Sequence, residues 1–384
     1  MPAKEEKMKR IIAIRVFFII LFSSSLIFVL ILNAQKIKIK TEKGIPVVYN
    51  PQKPVPPPGL KGKLELVEEL CIGEEEKEGY MFAQGPSGIS LAVDNDGNIY
   101  TVDPKLVEIR KFSPEGKLIS LFGKKGQGPE EMDTPSITGV TSQNELMFVD
   151  RGNTRIAFYS LEGKYLRYIP SHKWGLIRTK FDSKRNIVAD IYRPFEDEQK
   201  RQKIAYEIVK FNQELEPLLT LISIDATEEF MSRNYTYGGV LVYWEIAKND
   251  NIYVGYSRNY EFDIINPDGK IIRKIKKEFD PVKVTKEEED QLPSSIRERM
   301  NVPKYHTGFY YFRVDEEGRI FARTWEKTKD NRVYFYDVFD PEGKYIAKIP
   351  LSGYLKLWVK GKLYTAEETE DGFPVIKRYN VVWK

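Results

Sequence analysis

Residues with the types and spacing needed for catalysis are few in this sequence. The two histidines, His172 and His306, lie far apart along the chain, so neither a histidine-rich zinc site nor a Ser-His-Asp triad follows from their spacing. The single cysteine, Cys71, excludes an intramolecular disulfide and a cysteine-based metal site. It lies in a strand-like stretch and is expected to be a structural thiol. We predict no catalytic residues, no metal ligands and no resident cofactor.

A glycine-rich stretch, residues 123–128, has the composition of a phosphate-binding loop. No Gly-Lys-Ser/Thr sequence follows it, and the next residues do not begin an apolar helix. We therefore expect a tight link between two sheets that requires positive φ angles. Downstream, Arg151, Asn153 and Arg155 are expected to supply the hydrogen bonds of a turn between strands, with ligand contact as the alternative.

The elements that position these residues are predicted by a repeated pattern. An apolar run, a polar turn, a second apolar run and an Asp/Asn-Pro-x-Gly-Lys-type turn recur along the chain, in whole or in part, at residues 93–100 with 112–118, 159–165, 264–271, and 314–321 with 339–345. Gly163 follows Gly116 by 47 residues. Because one four-stranded propeller blade takes roughly 40–50 residues, the repeat predicts an all-β propeller.

Counting these units predicts six blades. The inner strands are expected to begin near Ile89, Ile137, Ile177, Trp244, Tyr311 and Leu355. The last unit, which ends in residues 373–383, supplies only three strands, whereas residues 63–72 form a spare strand near the N-terminus. Pairing this N-terminal strand with the last blade closes the ring and covers sheet edges that would otherwise template aggregation.

The N-terminus predicts export. Basic residues precede an apolar run, residues 16–32, that is just long enough to cross about 30 Å of hydrocarbon as a helix. Residues 1–34 are therefore a signal peptide or a membrane anchor, with cleavage left open. Residues 35–60 read as a basic and Pro-rich linker, and the propeller spans residues 61–384, with folding expected to begin near Lys61. The expected location is the cell envelope: the outer side of the cytoplasmic membrane, or the periplasm or medium after cleavage.

The charge balance limits the partners. Lys and Arg number 60 against 56 Asp and Glu, a net charge of +4, which is too small to indicate nucleic-acid binding without clustering. We expect no nucleic-acid partner, a protein, peptide or carbohydrate ligand, and a membrane contact through the N-terminal segment.

Two stretches resemble a known family. Residues 149–159, Val-Asp-Arg-Gly-Asn-Thr-Arg-Ile-Ala-Phe-Tyr, resemble the signature of NHL repeats, and residues 122–131 resemble the glycine-rich link between such repeats. The region from about Lys61 to Lys384 resembles exported bacterial six-bladed propellers of the NHL type. The resemblance implies the fold, whereas related propellers bind protein, RNA or carbohydrate and a minority are enzymes.

The resemblance also defines the enzymatic alternative. NHL-type lyases that act on amidated peptides use a histidine-rich metal site, and this chain lacks the residues for it. Lactonase-like propellers coordinate calcium in the channel through Glu, Asn and Asp side chains. The expected function is therefore an exported or membrane-tethered binding or scaffold module rather than an enzyme. The alternative is a metal-dependent hydrolase or lactonase with its site at the channel mouth and a channel-bound calcium.

Propeller geometry indicates which end of the molecule is expected to bind a ligand. The loops before the inner strands and those between second and third strands share one end, here called the loop rim, and the Pro-x-Gly-Lys turns occupy the opposite end, the turn rim. Aromatic and arginine side chains, which binding hot spots favour, are expected on the loop rim. The predicted ligand-binding residues are Trp174, Arg193, Tyr237, Arg258, Tyr305 and His306.

Two insertions also precede inner strands, residues 228–243 and 279–309. In the second, Thr285 is expected to cap a helix with Glu288 as its capping-box partner. This excursion is either a solvated surface feature or a lid over the channel mouth.

Overall fold

The computed structural model describes residues 36–59, 61–74, 77–231, 235–236, 242–292, 294–298, 300–329 and 333–384. The predicted signal or anchor segment, residues 16–32, lies outside these ranges. Within them, no helix is long and apolar enough to span a bilayer. The described chain folds into a ring of six sheets, each built on four antiparallel strands, which confirms the predicted six-bladed all-β propeller.

Three strands precede the first blade: β1 (Lys38–Glu42), β2 (Ile45–Asn50) and β3 (Leu64–Ile72). Blade 1 comprises β4 (Ser90–Val93), β5 (Ile99–Asp103), β6 (Glu108–Phe112) and β7 (Leu118–Phe122). Blade 2 comprises β8 (Pro135–Val140), β9 (Glu145–Asp150), β10 (Arg155–Ser160) and β11 (Tyr165–Pro170). Blade 3 comprises β12 (Thr179–Phe181), β13 (Ile187–Glu196), β14 (Gln202–Phe211) and β15 (Pro217–Asp225).

Between blades 3 and 4 lie helix α1 (Thr227–Met231) and the short strand β16 (Tyr235–Thr236). Blade 4 comprises β17 (Val242–Ile246), β18 (Ile252–Tyr256), β19 (Glu261–Ile265) and β20 (Ile271–Lys277). The second insertion contains α2 (Lys286–Asp290), α3 (Ser294–Arg297) and β21 (Met300–Asn301), and β21 pairs in parallel with β16. Blade 5 comprises β22 (Tyr311–Val314), β23 (Ile320–Lys327), β24 (Tyr334–Phe339) and β25 (Tyr345–Leu351). Blade 6 comprises β26 (Tyr354–Val359), β27 (Lys362–Glu368) and β28 (Pro374–Trp383).

The N-terminal strand closes the last blade. Strand β3 pairs antiparallel with β28, from Leu64 opposite Trp383 to Ile72 opposite Ile376. Backbone bonds between Lys63 and Lys384 extend the pairing to the end of the chain. The two ends of the chain therefore lock each other into the ring.

The two preceding strands require a correction to the predicted linker. Strand β2 pairs in parallel with β20, so β1 and β2 extend blade 4 to six strands. Val47 and Val48 of β2 are fully buried, and the Asn50 side chain donates to the Gly343 carbonyl (2.9 Å) and accepts from the Tyr345 amide (2.8 Å). The folded propeller thus includes residues well before Lys61, because the short apolar run of β2 docks on β20, the fourth strand of blade 4.

The blades are held together by apolar clusters between neighbouring sheets. Tyr100 and Phe148 lie in the cluster between blades 1 and 2, and Phe321 and Leu363 in the one between blades 5 and 6; all four are fully buried. Aromatic and β-branched residues suit such packing because they cover the pleated surface of a sheet.

The repeated turns explain the regular blades. Asp94 Oδ1 accepts from the amides of Asp96 (3.0 Å) and Asn98 (2.8 Å), and so sets the turn from first to second strand. Gly116 and Gly163 have φ angles of 82° and 86° in the turn from third to fourth strand, a region that disfavours side chains. The predicted capping box is confirmed: Thr285 Oγ1 accepts from the Glu288 amide, and the Glu288 carboxylate accepts from the Thr285 amide.

Candidate functional site

The inner strands of all six blades surround a cavity of about 640 Å³ in the central channel. Its border includes Gly88, Thr134 and Ile177 from loops that precede inner strands, and Arg151 from a loop between second and third strands. Those loops belong to the loop rim. The cavity therefore opens toward the loop rim, the end of the propeller at which ligand binding was predicted from the sequence.

A buried carboxylate joins three blades inside the cavity. Glu245 on β17, only 6% exposed, forms ion pairs with Lys180 on β12 and with Arg313 on β22. Burial would raise the pKa of Glu245, but the two cations outweigh this effect and hold it below the usual value. Glu245 is therefore ionised at neutral pH and links blade 3 to blade 5.

A second ion pair, between Arg178 and Asp190, lies beside that of Lys180 and Glu245. The Arg178 guanidinium binds Asp190 Oδ2 through Nε (2.9 Å) and Nη2 (2.6 Å), and Nη2 also donates to the Tyr206 hydroxyl (2.7 Å) and the Val242 carbonyl (2.9 Å). Its hydrogen bonds are thus directed at the protein. Arg178 serves as a structural clamp between blades 3 and 4 that borders the cavity.

Lys356 on β26 differs from Arg178, Lys180 and Arg313, each of which is paired with a carboxylate. Its Nζ donates to the Ser87 carbonyl (3.2 Å), and within the described residues it has no carboxylate at salt-bridge distance. Burial, and secondarily the charge of Arg313, lower the pKa of Lys356 to about 7. A sizeable fraction of this side chain is therefore a neutral amine at physiological pH.

Aromatic rings form much of the remaining wall. Tyr243, Tyr311 and Tyr354 border the cavity. Behind the last two, the buried Arg323 guanidinium lies 5.5 Å from the Tyr311 ring centre and 5.1 Å from that of Tyr354. The wall thus combines flat apolar surfaces with a positive charge behind them.

The charges indicate what the cavity can hold. Lys180, Arg313 and Lys356 border the cavity together with a single carboxylate, Glu245, so its lining has an excess of positive charge. In the described part of the chain, no group of three or more His, Cys, Asp and Glu residues could hold a metal ion. The arrangement suits an anion attached to an apolar or aromatic body.

Comparisons with known proteins support the fold. No protein-family model matches the chain, and no curated protein matches it, so the NHL-type resemblance stays a prediction. Among solved structures, the chain is similar to a protein from Bacteroides fragilis whose name proposes that it is exported. The two share 10% sequence identity and a TM-score of 0.57, over 88% of this chain and 99% of that one.

Two further structures match with lower scores. A member of the DUF4221 family from Bacteroides vulgatus is 13% identical, with a TM-score of 0.48 over 84% of this chain and 99% of its own. A gluconolactonase from Xanthomonas campestris is 12% identical, with a TM-score of 0.42 over 82% of this chain and 97% of its own. We draw no functional conclusion from these two matches.

Three of the residues predicted from the sequence lie close together. Arg258 is exposed in the loop between β18 and β19, and the neighbouring Ser257 carbonyl accepts from the Gly308 amide (2.9 Å), two residues after His306. Tyr305 is 40% exposed. These residues lie at the junction of blades 4 and 5 on the loop rim.

His306 is mostly buried within this junction. Its ring stacks on Trp325, with centroids 4.5 Å apart, and its Nε2 lies 3.3 Å from the Glu288 carboxylate of α2. Nδ1 lies 3.2 Å from the Tyr310 hydroxyl. The structure therefore places His306 where it fastens the second insertion to blade 5.

Trp174 and Arg193 lie elsewhere. The Trp174 indole N–H donates to the Leu215 carbonyl (3.0 Å), and its ring packs on Phe211 between blades 2 and 3. Arg193, on β13, pairs with the buried Glu207. Tyr237 lies outside the described residues. The structure thus brings together Arg258, Tyr305 and His306. Trp174 and Arg193 lie apart from them, Trp174 at the junction of blades 2 and 3 and Arg193 in blade 3.

Sequence reasoning missed the cavity residues Lys180, Glu245, Arg313 and Lys356 because it searched the loops. A signal was present: each is a single charged residue within an otherwise apolar or neutral inner strand. A charge at such a position must face either another charge or a channel. By contrast, the structural interpretation of residues 153 and 155 is confirmed, since Asn153 donates to Asp150 (2.7 Å) and Arg155 Nε to the same carboxylate (3.0 Å).

Proposed function

We propose that this chain is a ligand-binding module of the cell envelope that takes its ligand into the channel cavity from the loop rim. The observation that carries this proposal is the cavity, which has a volume of about 640 Å³, is bordered by all six inner strands and receives aromatic or charged side chains from those of blades 3 to 6. Binding sites for small molecules typically occupy about 300–1,000 Å³. The space suits a small molecule or the end of a peptide or carbohydrate chain.

Export remains part of the proposal. It rests on residues 16–32 and their basic flank, with the propeller held outside the cytoplasmic membrane or released after cleavage. The similar Bacteroides fragilis structure, whose name proposes export, is consistent with this location. Only five residues separate Leu32 from β1, so an uncleaved anchor would hold the outer edge of blade 4 close to the bilayer.

Binding without catalysis is favoured by the chemistry of the cavity. Neither histidine borders it, and its one carboxylate, Glu245, is already paired with two cations. The alternative is a hydrolase or lactonase that uses a divalent metal at the channel mouth. An excess of positive charge opposes such a metal. Metal analysis of the purified protein separates the two, because stoichiometric calcium or zinc would favour the enzyme.

The location of the site can be tested with a ligand screen. Small molecules, short peptides and oligosaccharides are screened by thermal shift, and hits are measured by calorimetry. Ser136→Trp fills the channel and is expected to weaken binding at least tenfold, whereas Lys164→Trp, an exposed change on the turn rim, serves as the matched control. If Arg258→Ala and Tyr305→Ala abolish binding while Ser136→Trp does not, the ligand lies on the outer loop rim and the channel proposal is wrong.

A further inference from the structure

We propose that the channel selects a small oxyanion, a carboxylate or phosphate group on an apolar or aromatic body, held by Lys356 together with Lys180 and Arg313. This inference rests on the proposed function, since it names the ligand class of the same cavity. It follows from charge, from backbone geometry and from the shape of the wall.

The charge argument begins with Glu245. Its carboxylate is shared between Lys180 and Arg313, two cations on different blades. Arg313 Nε also donates to the carbonyl of Leu355 (3.1 Å), which holds the guanidinium beside the next residue, Lys356. When Lys356 is protonated, these three cations therefore share the cavity with one carboxylate. A second anion would complete the balance.

The backbone directs Lys356 into this space. Leu355 pairs with Thr365 and Leu357 with Tyr364, so Lys356 is an extra residue in the ladder between β26 and β27. Such a bulge changes the direction of a side chain and is frequent beside functional sites. Lys356 borders the cavity, where a regular strand would have continued the alternation of its neighbours.

Among the described residues that border the cavity, Glu245 is the one carboxylate. The residues of β4 and β8 that border the cavity are uncharged. Strand β12 contributes Lys180, β17 contributes Glu245 and Tyr243, and β22 contributes Arg313 and Tyr311. Strand β27 places Thr365 and Tyr364 opposite the bulge. An incoming oxyanion would therefore meet the cations and tyrosine side chains of the inner strands.

Protonation provides a second signature of such binding. The free amine of Lys356 has a pKa of about 7, lowered by burial and by Arg313. A bound anion stabilises the ammonium form and raises that pKa. Binding above pH 7 should therefore take up protons, and affinity should fall as the pH rises. A neutral ligand in the same cavity would show neither effect.

The body of the ligand is suggested by the wall. Tyr243, Tyr311 and Tyr354 offer flat surfaces next to the cations. Benzoate and phenyl phosphate match this combination and represent the two oxyanion chemistries, whereas benzamide is a neutral analogue of similar shape. Comparing the three separates charge selection from simple occupancy of the channel.

The test is calorimetry of the full chain with benzoate, phenyl phosphate and benzamide at pH 6.5 and 8.5, in buffers of different ionisation enthalpy. At least one of the two anions is expected to bind tenfold or more tightly than benzamide and to take up protons at pH 8.5. Which anion binds more tightly distinguishes carboxylate from phosphate. Lys356→Met should lose that preference, whereas Lys117→Met, an exposed lysine on the turn rim, should retain it.

Lys356→Arg provides the conservative control, because it keeps the charge and should bind the anion with less proton uptake than the original protein; burial also lowers the pKa of Lys180, which can contribute the remainder. Equal affinity for anions and benzamide, with both lost in Ser136→Trp, would overturn the oxyanion proposal and leave the channel-binding function standing. Binding of all three that is unchanged in Ser136→Trp would overturn both. Absence of binding by either anion would overturn the oxyanion proposal.

Discussion

Blades 1 and 2 differ from blades 3, 4 and 5 at one equivalent position. The second-to-last paired residue of the inner strand is Ala92 in blade 1 and Gly139 in blade 2, opposite Tyr100 and Met147. In the next three blades this residue is Lys180, Glu245 and Arg313. This position is thus small and uncharged in blades 1 and 2, whereas in blades 3 to 5 its side chains form a linked set of charges.

The turns show that this difference does not come from the backbone. Asp182 in blade 3 accepts from the amides of Lys184 (3.0 Å) and Asn186 (2.8 Å), and Asp315 in blade 5 accepts from those of Glu317 (3.1 Å) and Arg319 (2.8 Å). Asp94 of blade 1 does the same. Turn residues hold the frame constant, so inner-strand side chains are free to diverge, and the charges concentrate in one half of the ring.

Both parts of this comparison require a closed ring, and opening it should have the largest effect. Removal of residues 63–72 deletes β3, exposes the edge of β28 and leaves the apolar cluster of blades 5 and 6 partly uncovered. We expect aggregated protein, measured by size-exclusion chromatography and circular dichroism. A soluble truncation with unchanged stability would show that β3 does not close the ring.

The next test concerns the charged half. Glu245→Leu leaves Lys180 and Arg313 without their shared carboxylate, so the free energy of unfolding should fall by about 3 kcal/mol. This value is at the lower end of the range for a broken buried ion pair, because both cations keep some contact with the channel. Urea unfolding measures this change. Glu68→Leu, which removes an exposed pair with Lys377, should cost less than about 1 kcal/mol. Equal effects would mean that the linked charges do not stabilise the ring.

The regular half can be tested at a turn. Gly163 has a φ of 86°, and an added Cβ would lie 2.5 Å from Phe122, so Gly163→Ala should cost more than the roughly 1–2 kcal/mol of backbone strain alone. Gly361→Ala has a φ of 70° with no atom near the added Cβ and isolates the backbone cost. Neither variant should change ligand affinity, because both turns lie at the turn rim. Loss of binding in Gly163→Ala would move the site to that end.

The last test is a pH dependence due to Lys356. Its pKa in the folded state, about 7, is below that of an ordinary lysine, so between these values the unfolded chain binds more protons than the folded one. Stability should therefore rise with pH from about 7 upward relative to Lys356→Met. Melting temperatures of the two proteins from pH 6 to 9 measure the difference. Parallel pH profiles would show that Lys356 ionises normally in the folded protein.

Much of the fold could be predicted because it depends on local chemistry. Each inner strand begins within two residues of its predicted position, since Asp, Asn and Gly set the turns through bonds within four residues. The closing strand was predicted because the last unit lacked one. The docking of β2 on blade 4 was missed, because Val47 and Val48 are a short apolar run in a polar, Pro-rich stretch and their partner β20 is far away in sequence.

The candidate site could be predicted less well. Arg258, Tyr305 and His306 were assigned to the loop rim from the order of strands alone, and they lie together there. Trp174 was assigned to the same surface, yet its ring packs between blades, because a large aromatic side chain gains more from burial than from exposure. Whether the predicted rim residues contact a ligand stays a prediction.

The sequence by itself determined the number of blades, the strand order and the closing of the ring, because turn residues and apolar periodicity act over a few neighbouring positions. Tertiary structure alone decided that Lys180, Glu245 and Arg313 meet at the channel, and that a bulge turns Lys356 toward them. These residues come from four blades and are separated by tens of positions in sequence. Their interaction depends on side-chain contacts between different blades, which no local pattern encodes.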